Sequence, residues 1–145
     1  YALMMALGEA LGLAPFAETI IEAANRPKEP GEKASLHGGG DPSVLATVIS
    51  QPRPSHVTVD AGFKAFAVDA GPPQPLTPGL RYRFAGDEHG VVLAEGEGTL
   101  PTLGARLSFV PPHCDPTVNL YDAYWVLRDG MVRERWPIPA RGLSW

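Results

Sequence analysis

A mainly β fold, a small antiparallel barrel or sandwich with an N-terminal helical segment, is what this sequence predicts. Three observations predict it. From residue 43 onward the chain breaks into short runs rich in Val, Ile, Phe and Tyr, several of which alternate apolar and polar residues as half-buried strands do. Gly and Pro, 16 of each, fall between those runs rather than in one tract, so they punctuate the chain as turns. The spacing of these turns is regular over roughly 100 residues, the habit of small barrels and sandwiches.

The elements follow in order. Residues 1–25 read as helical: Leu3, Leu7 and Leu11 form an i, i+4 row, Gly12 ends it, Pro15 opens a second helix, and Phe16, Ile20 and Ala24 repeat the spacing. Residues 26–42, "RPKEPGEKASLHGGGDP", are charged and rich in Pro and Gly, and read as a linker. Within it Gly38 to Gly40 could cradle a phosphate with backbone N–H groups, although a flexible loop explains three glycines more simply. The expected organisation is therefore a helical segment and linker over 1–42 and a β domain over 43–145. In that domain "VLATVIS" (44–50), "HVTVDAG" (56–62) and "FKAFAVD" (63–69) read as successive strands, and "GPPQPLTPG" (71–79) as a loop. "LRYRFAG" (80–86) and "VVLAEGE" (91–97) flank "DEHG" as a hairpin. "ARLSFVPP" (105–112) is a further strand, and a turn of helix is expected near 116–121. "AYWVLRDGMVRERW" (123–136) is the strongest hairpin, with Asp129-Gly130 suited to a type I′ turn.

Composition narrows the function classes. The 145 residues suffice for one domain with a real core. A net charge of −4 without a basic face argues against nucleic acid. The longest apolar runs are too short to span a bilayer, and "YALMMALGEALGLA" lacks the basic start of a signal peptide. Because the first residue is Tyr1, a piece of a longer protein is expected. The lone Cys114 excludes an internal disulfide framework and fits a reducing, cytoplasmic compartment.

The chemistry concentrates in "FVPPHCDPTVNLYD" (109–122), where His113, Cys114 and Asp115 follow one another between prolines. On an extended backbone His113 and Asp115 share a face and Cys114 points the other way. An imidazole nitrogen and a carboxylate oxygen two residues apart can both reach one divalent cation. The hard oxygen of Asp115 suits Mn²⁺ or Mg²⁺ and also Zn²⁺, whereas a cysteine as second ligand would favour Zn²⁺. Two protein ligands leave positions for water or substrate, as in a catalytic metal site. The competing reading is a proline-flanked turn in which Asp115 caps a short helix.

The wider wording is more specific. "VLATVIS", "VDAGFKAFAVDAG", "GDEHGVV", "FVPPHCDPTVNLYDAYWVLRDG" and "WPIPARG" occur in this order. Together they resemble the C-terminal β domain of the D-threonine aldolase and D-serine dehydratase family, of the alanine-racemase-like (fold type III) pyridoxal-phosphate enzymes, over residues 43–143. The resemblance implies that His113 and Asp115 are the metal ligands. It assigns H-x-D to the aldolase branch and H-x-C to the dehydratase branch, so this chain has the aldolase form. It also implies the cofactors and substrate: pyridoxal phosphate as electron sink, a divalent ion at the β-hydroxyl, and a D-3-hydroxy amino acid that splits to glycine and an aldehyde. A homodimer is implied, as is an upstream barrel that carries the cofactor lysine.

That lysine is not expected here. Lys28 and Lys33 lie in the linker, and Lys64, in "DAGFKAF", is expected to form a salt bridge with Asp60 or Asp69 rather than hold the cofactor. Glu88 and His89 of "GDEHG" either stand behind the metal ligands, orienting one of them or a water, or are solvated hairpin charges. His37 and His56 match nothing and read as surface or strand residues. Trp125, Trp136 and Trp145 are expected to pack, with Trp136 closing the core. Three functions remain open on the sequence. One is the metal-bearing domain of an aldolase-like or, alternatively, D-serine dehydratase-like lyase. The second is a non-catalytic binding or assembly module derived from that domain. The third is an independent metal hydrolase with a further ligand such as His89.

Overall fold

The computed structural model describes residues 18–22, 42–128 and 131–143. The described residues form nine strands and one short helix: β1 (Glu18–Glu22), β2 (Pro42–Arg53), β3 (His56–Val59), β4 (Gln74–Pro75), β5 (Leu80–Phe84), β6 (Gly90–Ala94), β7 (Arg106–Val110), α1 (Cys114–Val118), β8 (Ala123–Arg128) and β9 (Met131–Pro137). The mainly β expectation is met. No helix among the described residues is long and apolar enough to cross a membrane.

The long strand β2 organises the sheet. Its first residues pair antiparallel with β1, Val44 to Thr47 pair with β7, and Val48 to Arg53 pair with β3. β3 continues through β6 to β5, and β7 continues to β4. Because β4 also approaches β5, the path β5-β6-β3-β2-β7-β4 nearly closes into a six-strand barrel. β1 extends the sheet on the other side of this path, pairing parallel with β8, which forms a hairpin with β9.

Strand alternation fills the barrel. Val44, Ala46 and Val48 of β2, Val57 and Val59 of β3, Leu80 and Tyr82 of β5, Val92 of β6, and Leu107 and Phe109 of β7 are all buried in one core. Phe66, from the long connection between β3 and β4, inserts among them and meets Tyr82 and Phe109 edge-on at centroid distances of 5.6 and 5.9 Å. Such pairs add about 0.5–1.5 kcal/mol each beyond the area they bury.

Four expectations are corrected. The helix expected over Phe16, Ile20 and Ala24 is a strand at 18–22, because Thr19, Ile20 and Ile21 are β-branched and the segment finds partners in both β2 and β8. "FKAFAVD" is not a strand. Residues 61–73 form turns, since Gly62 and the Gly86–His89 turn meet backbone to backbone and leave no room for a ladder. Gln74 and Pro75 make a short bridge to β7 inside the expected loop. Trp136 does not close the core. It is 44% exposed and donates its indole N–H to Glu134 at 2.9 Å, because β9 lies at the end of the strand order and all its residues are exposed.

The hairpin β5–β6 around "DEHG" and the hairpin β8–β9 occur as expected. Most of the helical and linker expectations for 1–42, including Gly38 to Gly40, Lys28, Lys33 and His37, lie outside the described residues, as do the Asp129-Gly130 turn and Trp145.

Candidate metal centre

β7 ends at Val110, and Pro111 and Pro112 lead to His113, whose backbone is extended at φ −141° and ψ 116°. The next residue is already helical. α1 begins at Cys114, two residues earlier than the turn of helix expected near 116, and carries Asp115 in its first turn. Pro116 is tolerated there because a first-turn residue has no intrahelical N–H bond to lose. His113 therefore occupies the N-cap position, and Asp115 does not cap the helix. Strand alternation consequently does not set the relation of His113 to Asp115, since the backbone changes from extended to helical between them.

A residue far away in sequence meets His113 instead. His113 Nδ1 lies 2.6 Å from Asp69 Oδ2, across a separation of 44 residues. The hydrogen bond holds the Asp69 carboxyl below its usual range, so it is ionised and can only accept. Nδ1 therefore carries the proton and donates. Asp69, and then the charge of Asp115, raise the His113 imidazole above its ordinary value.

In neutral His113 the remaining nitrogen, Nε2, carries the lone pair. Neither Nε2 nor the Asp115 carboxylate makes a hydrogen bond among the described residues. One imidazole nitrogen and one carboxylate form the donor set a divalent cation takes, with open positions for water or substrate. The residues present thus fit such an ion. A closed cluster of three or more ligating side chains does not occur among the described residues.

The surroundings are built by hydroxyls. The buried Thr117 donates its Oγ1–H to the His113 carbonyl at 2.7 Å and accepts the Ala67 N–H at 3.0 Å. Tyr121, one turn further on, donates to the Ala65 carbonyl at 2.9 Å. The half-buried Cys114 and the exposed Asp115 both influence Tyr124, whose hydroxyl is raised by burial first and by these two neighbours second.

The other candidates are placed elsewhere. Glu88 forms an ion pair with Lys64, so the salt bridge expected to Asp60 or Asp69 is corrected. Two backbone hydrogen bonds, Phe63 N–H to Gly86 and Lys64 N–H to Asp87, each 3.0 Å, dock this loop on the "DEHG" turn and bring Lys64 to Glu88. Asp60 is instead taken by the Thr47 N–H at 2.7 Å, with His89 and Arg106 close enough to lower its pKa against the larger effect of burial. Neither Glu88 nor His89 is hydrogen bonded to His113 or Asp115 among the described residues. His56 pairs with Ser55 at the exposed end of β3.

The family model described as "Putative serine dehydratase domain" matches residues 42–127. The chain belongs to this family. Its members among characterised proteins include a D-threonine aldolase of Arthrobacter sp., 51% identical over 102 residues, or 70% of this chain and 27% of that protein. A 3-hydroxy-D-aspartate aldolase of Paracoccus denitrificans is 42% identical over 68% of this chain and 25% of its own length. Among solved structures, the D-threonine aldolase of Filomicrobium marinum superposes with a TM-score of 0.69 at 39% identity, covering 81% of this chain and 32% of that one. A D-threo-3-hydroxyaspartate dehydratase of Delftia sp. gives 0.56 at 31% identity, covering 72% and 32%. These homologues are lyases, and the chain matches about a quarter to a third of their length.

Proposed function

We propose that the chain is the metal-bearing C-terminal domain of a cytoplasmic, homodimeric, pyridoxal-phosphate-dependent lyase. Its reaction is the retro-aldol cleavage of a D-3-hydroxy amino acid such as D-threonine to glycine and an aldehyde. Turnover requires an upstream barrel with the cofactor lysine. The observation that carries the reading is the pair of open donors, His113 Nε2 and the Asp115 carboxylate, in a chain 51% identical to a D-threonine aldolase.

The relatives support the same two positions. Solved structures of a D-threo-3-hydroxyaspartate dehydratase include a cysteine-to-alanine variant in a metal-free form and a histidine-to-alanine variant, altered at positions two residues apart. His113 and Asp115 have that spacing, with a carboxylate in place of the thiolate.

The division of labour follows from donor chemistry. Pyridoxal phosphate supplies the electron sink at Cα, and the divalent ion, Mn²⁺ or Mg²⁺ with Zn²⁺ as the softer option, supplies Lewis acidity at the substrate hydroxyl. His113 and Asp115 would hold the ion, leaving its remaining positions for water or the substrate hydroxyl. Lys64 takes no part, because its ammonium is committed to Glu88 on an exposed loop. Glu88 and His89 act on the packing of that loop and on the Asp60 carboxylate.

In the full-length protein, chelation should abolish aldehyde release from D-threonine. Asp115→Ala should reduce metal affinity or activity by at least the roughly 10–100-fold that loss of a group behind a ligand costs. Asp115→Cys should shift the preference from Mn²⁺ toward Zn²⁺. Full turnover by the chelated enzyme or by Asp115→Ala would exclude the metal-dependent aldolase. The dehydratase structures among the relatives favour one second reading, a D-serine dehydratase-like lyase, and ammonia with a keto acid in place of glycine and aldehyde would identify it. An intact, cofactor-loaded protein that yields neither set of products would be a binding or assembly module.

A further inference from the structure

We propose that Asp69 is a positioning residue for metal binding: its carboxylate accepts the Nδ1–H of His113, fixing both the tautomer and the plane of the ring so that Nε2 is presented to the divalent ion. The proposal rests on the metal reading of His113 and goes beyond it, because the H-x-D spacing does not point to a residue 44 positions earlier in the chain.

A free imidazole exchanges its proton between two nitrogens and turns about two side-chain bonds. A ligand nitrogen in that condition must be oriented at the moment the ion binds. A carboxylate oxygen at 2.6 Å from Nδ1 restrains both, since it can only accept and the bond to it keeps Nδ1 turned toward Asp69 Oδ2.

An exposed carboxylate–imidazole contact is by itself worth little, and exposed pairs contribute about 0–1 kcal/mol. What distinguishes this one is how both partners are held. Asp69 lies within the irregular 61–73 connection. Three separate anchors fix it. Phe66 is buried against Phe109 of β7, the strand that leads into His113. Tyr121 binds the Ala65 carbonyl. The single hydroxyl of Thr117 binds the Ala67 N–H and the His113 carbonyl together, tying the backbone two residues before Asp69 to the backbone of His113 itself. Thr117 is 1% exposed, so this hydroxyl bridges the two segments inside the protein rather than in solvent. The anchors constrain the two backbones, and the Asp69–His113 bond carries that constraint out to the ring.

The test uses the intact chain with Mn²⁺ alone as probe. Affinity is measured by calorimetric titration and the His113 tautomer by ¹⁵N-edited NMR, with a thermal melt of each sample. Asp69→Ala should weaken Mn²⁺ binding roughly 10–100-fold. It should also move His113 from the Nδ1–H toward the Nε2–H form, with the melt little changed because the carboxylate is exposed. Asp69→Asn, which keeps an acceptor for Nδ1–H, should fall between Asp69→Ala and the parent. Mn²⁺ affinity and tautomer unchanged in Asp69→Ala, while His113→Ala abolishes binding, would overturn the role of Asp69 and leave the metal reading intact. Undiminished binding by His113→Ala would overturn the metal reading, and this proposal with it. Weakened binding in Asp69→Ala with an unmoved tautomer would overturn the positioning mechanism.

Discussion

Asp60 is a carboxylate placed where burial outweighs its partners. The Thr47 N–H and the charges of Arg106 and His89 stabilise the ionised form, yet desolvation dominates and the pKa lies above the ordinary 3.8. The folded state therefore holds this proton more tightly than the unfolded state. The stability it contributes is fully present below 3.8 and is lost as pH rises through the folded pKa. Asp60→Asn keeps an acceptor for Thr47 and removes the charge. Urea midpoints of the variant should fall less than those of the parent as pH rises through that window, and a difference independent of pH would refute the assignment. At the proposed metal site, Cys114→Ala should leave Mn²⁺ affinity nearly unchanged, because the proposed donors are its two neighbours, His113 and Asp115. A loss in calorimetric titration equal to that of His113→Ala would mean that the ligand pair is misassigned.

At the scale of elements, the 61–73 connection is the piece on which the proposed site depends, and two of the contacts that hold it lie at its start and its middle. Gly62 is one. A Cβ there would come within 2.3 Å of the Gly86 carbonyl and 2.5 Å of the His89 nitrogen, both backbone atoms that cannot step aside. Gly62→Ala should destabilise the fold by about 1–3 kcal/mol, the usual range for overpacking, as measured by chemical denaturation. Thr117 is the other. Thr117→Val keeps the shape but leaves the buried Ala67 N–H without its acceptor, which should cost about 1–3 kcal/mol. The same variant should weaken Mn²⁺ binding, since it uncouples Ala67 from His113. A Thr117→Val protein with unchanged stability would show that water replaces the hydroxyl at no net cost.

For the whole molecule, binding of the proposed ion would be linked to folding by mass action. An ion bound to the folded state alone stabilises it by about 2.7 kcal/mol at a hundred times its Kd. Mn²⁺ should therefore raise the melting temperature of the intact chain but not that of the His113→Ala variant, and equal shifts in both would place the ion elsewhere. The same scale explains where the site sits. The nearly closed barrel supplies a core that includes Phe66, Tyr82 and Phe109, while His113, Asp115 and Asp69 stand outside that core and are exposed. The β1-β8-β9 extension leaves β9 exposed along its whole length, with Met131, Val132 and Trp136 all outward.

Much of this was legible in the chain because its causes are local. Alternation along "VLATVIS" and "HVTV" marks β2 and β3, turn residues mark the β5–β6 hairpin, and the adjacency of His113 and Asp115 marks the candidate donors. What the sequence by itself determined, then, is the β character, the hairpins and the H-x-D pair, each fixed by side chains within a few residues of one another. What only the tertiary structure decided depends on pairings between distant segments. Ile20 belongs to a strand because β2 and β8 lie on either side of it, although its i, i+4 spacing reads as helix. Lys64 turns to Glu88 because the Gly62 loop docks on the Gly86–His89 turn, although Asp60 and Asp69 are nearer in sequence. Asp69 reaches His113 because Phe66 is buried against Phe109 and the Thr117 hydroxyl joins two backbones 46 residues apart, Ala67 and His113 (113 − 67). Periodicity carries no information about such contacts: they arise when the barrel closes and two irregular segments are left no other place to satisfy their buried polar groups.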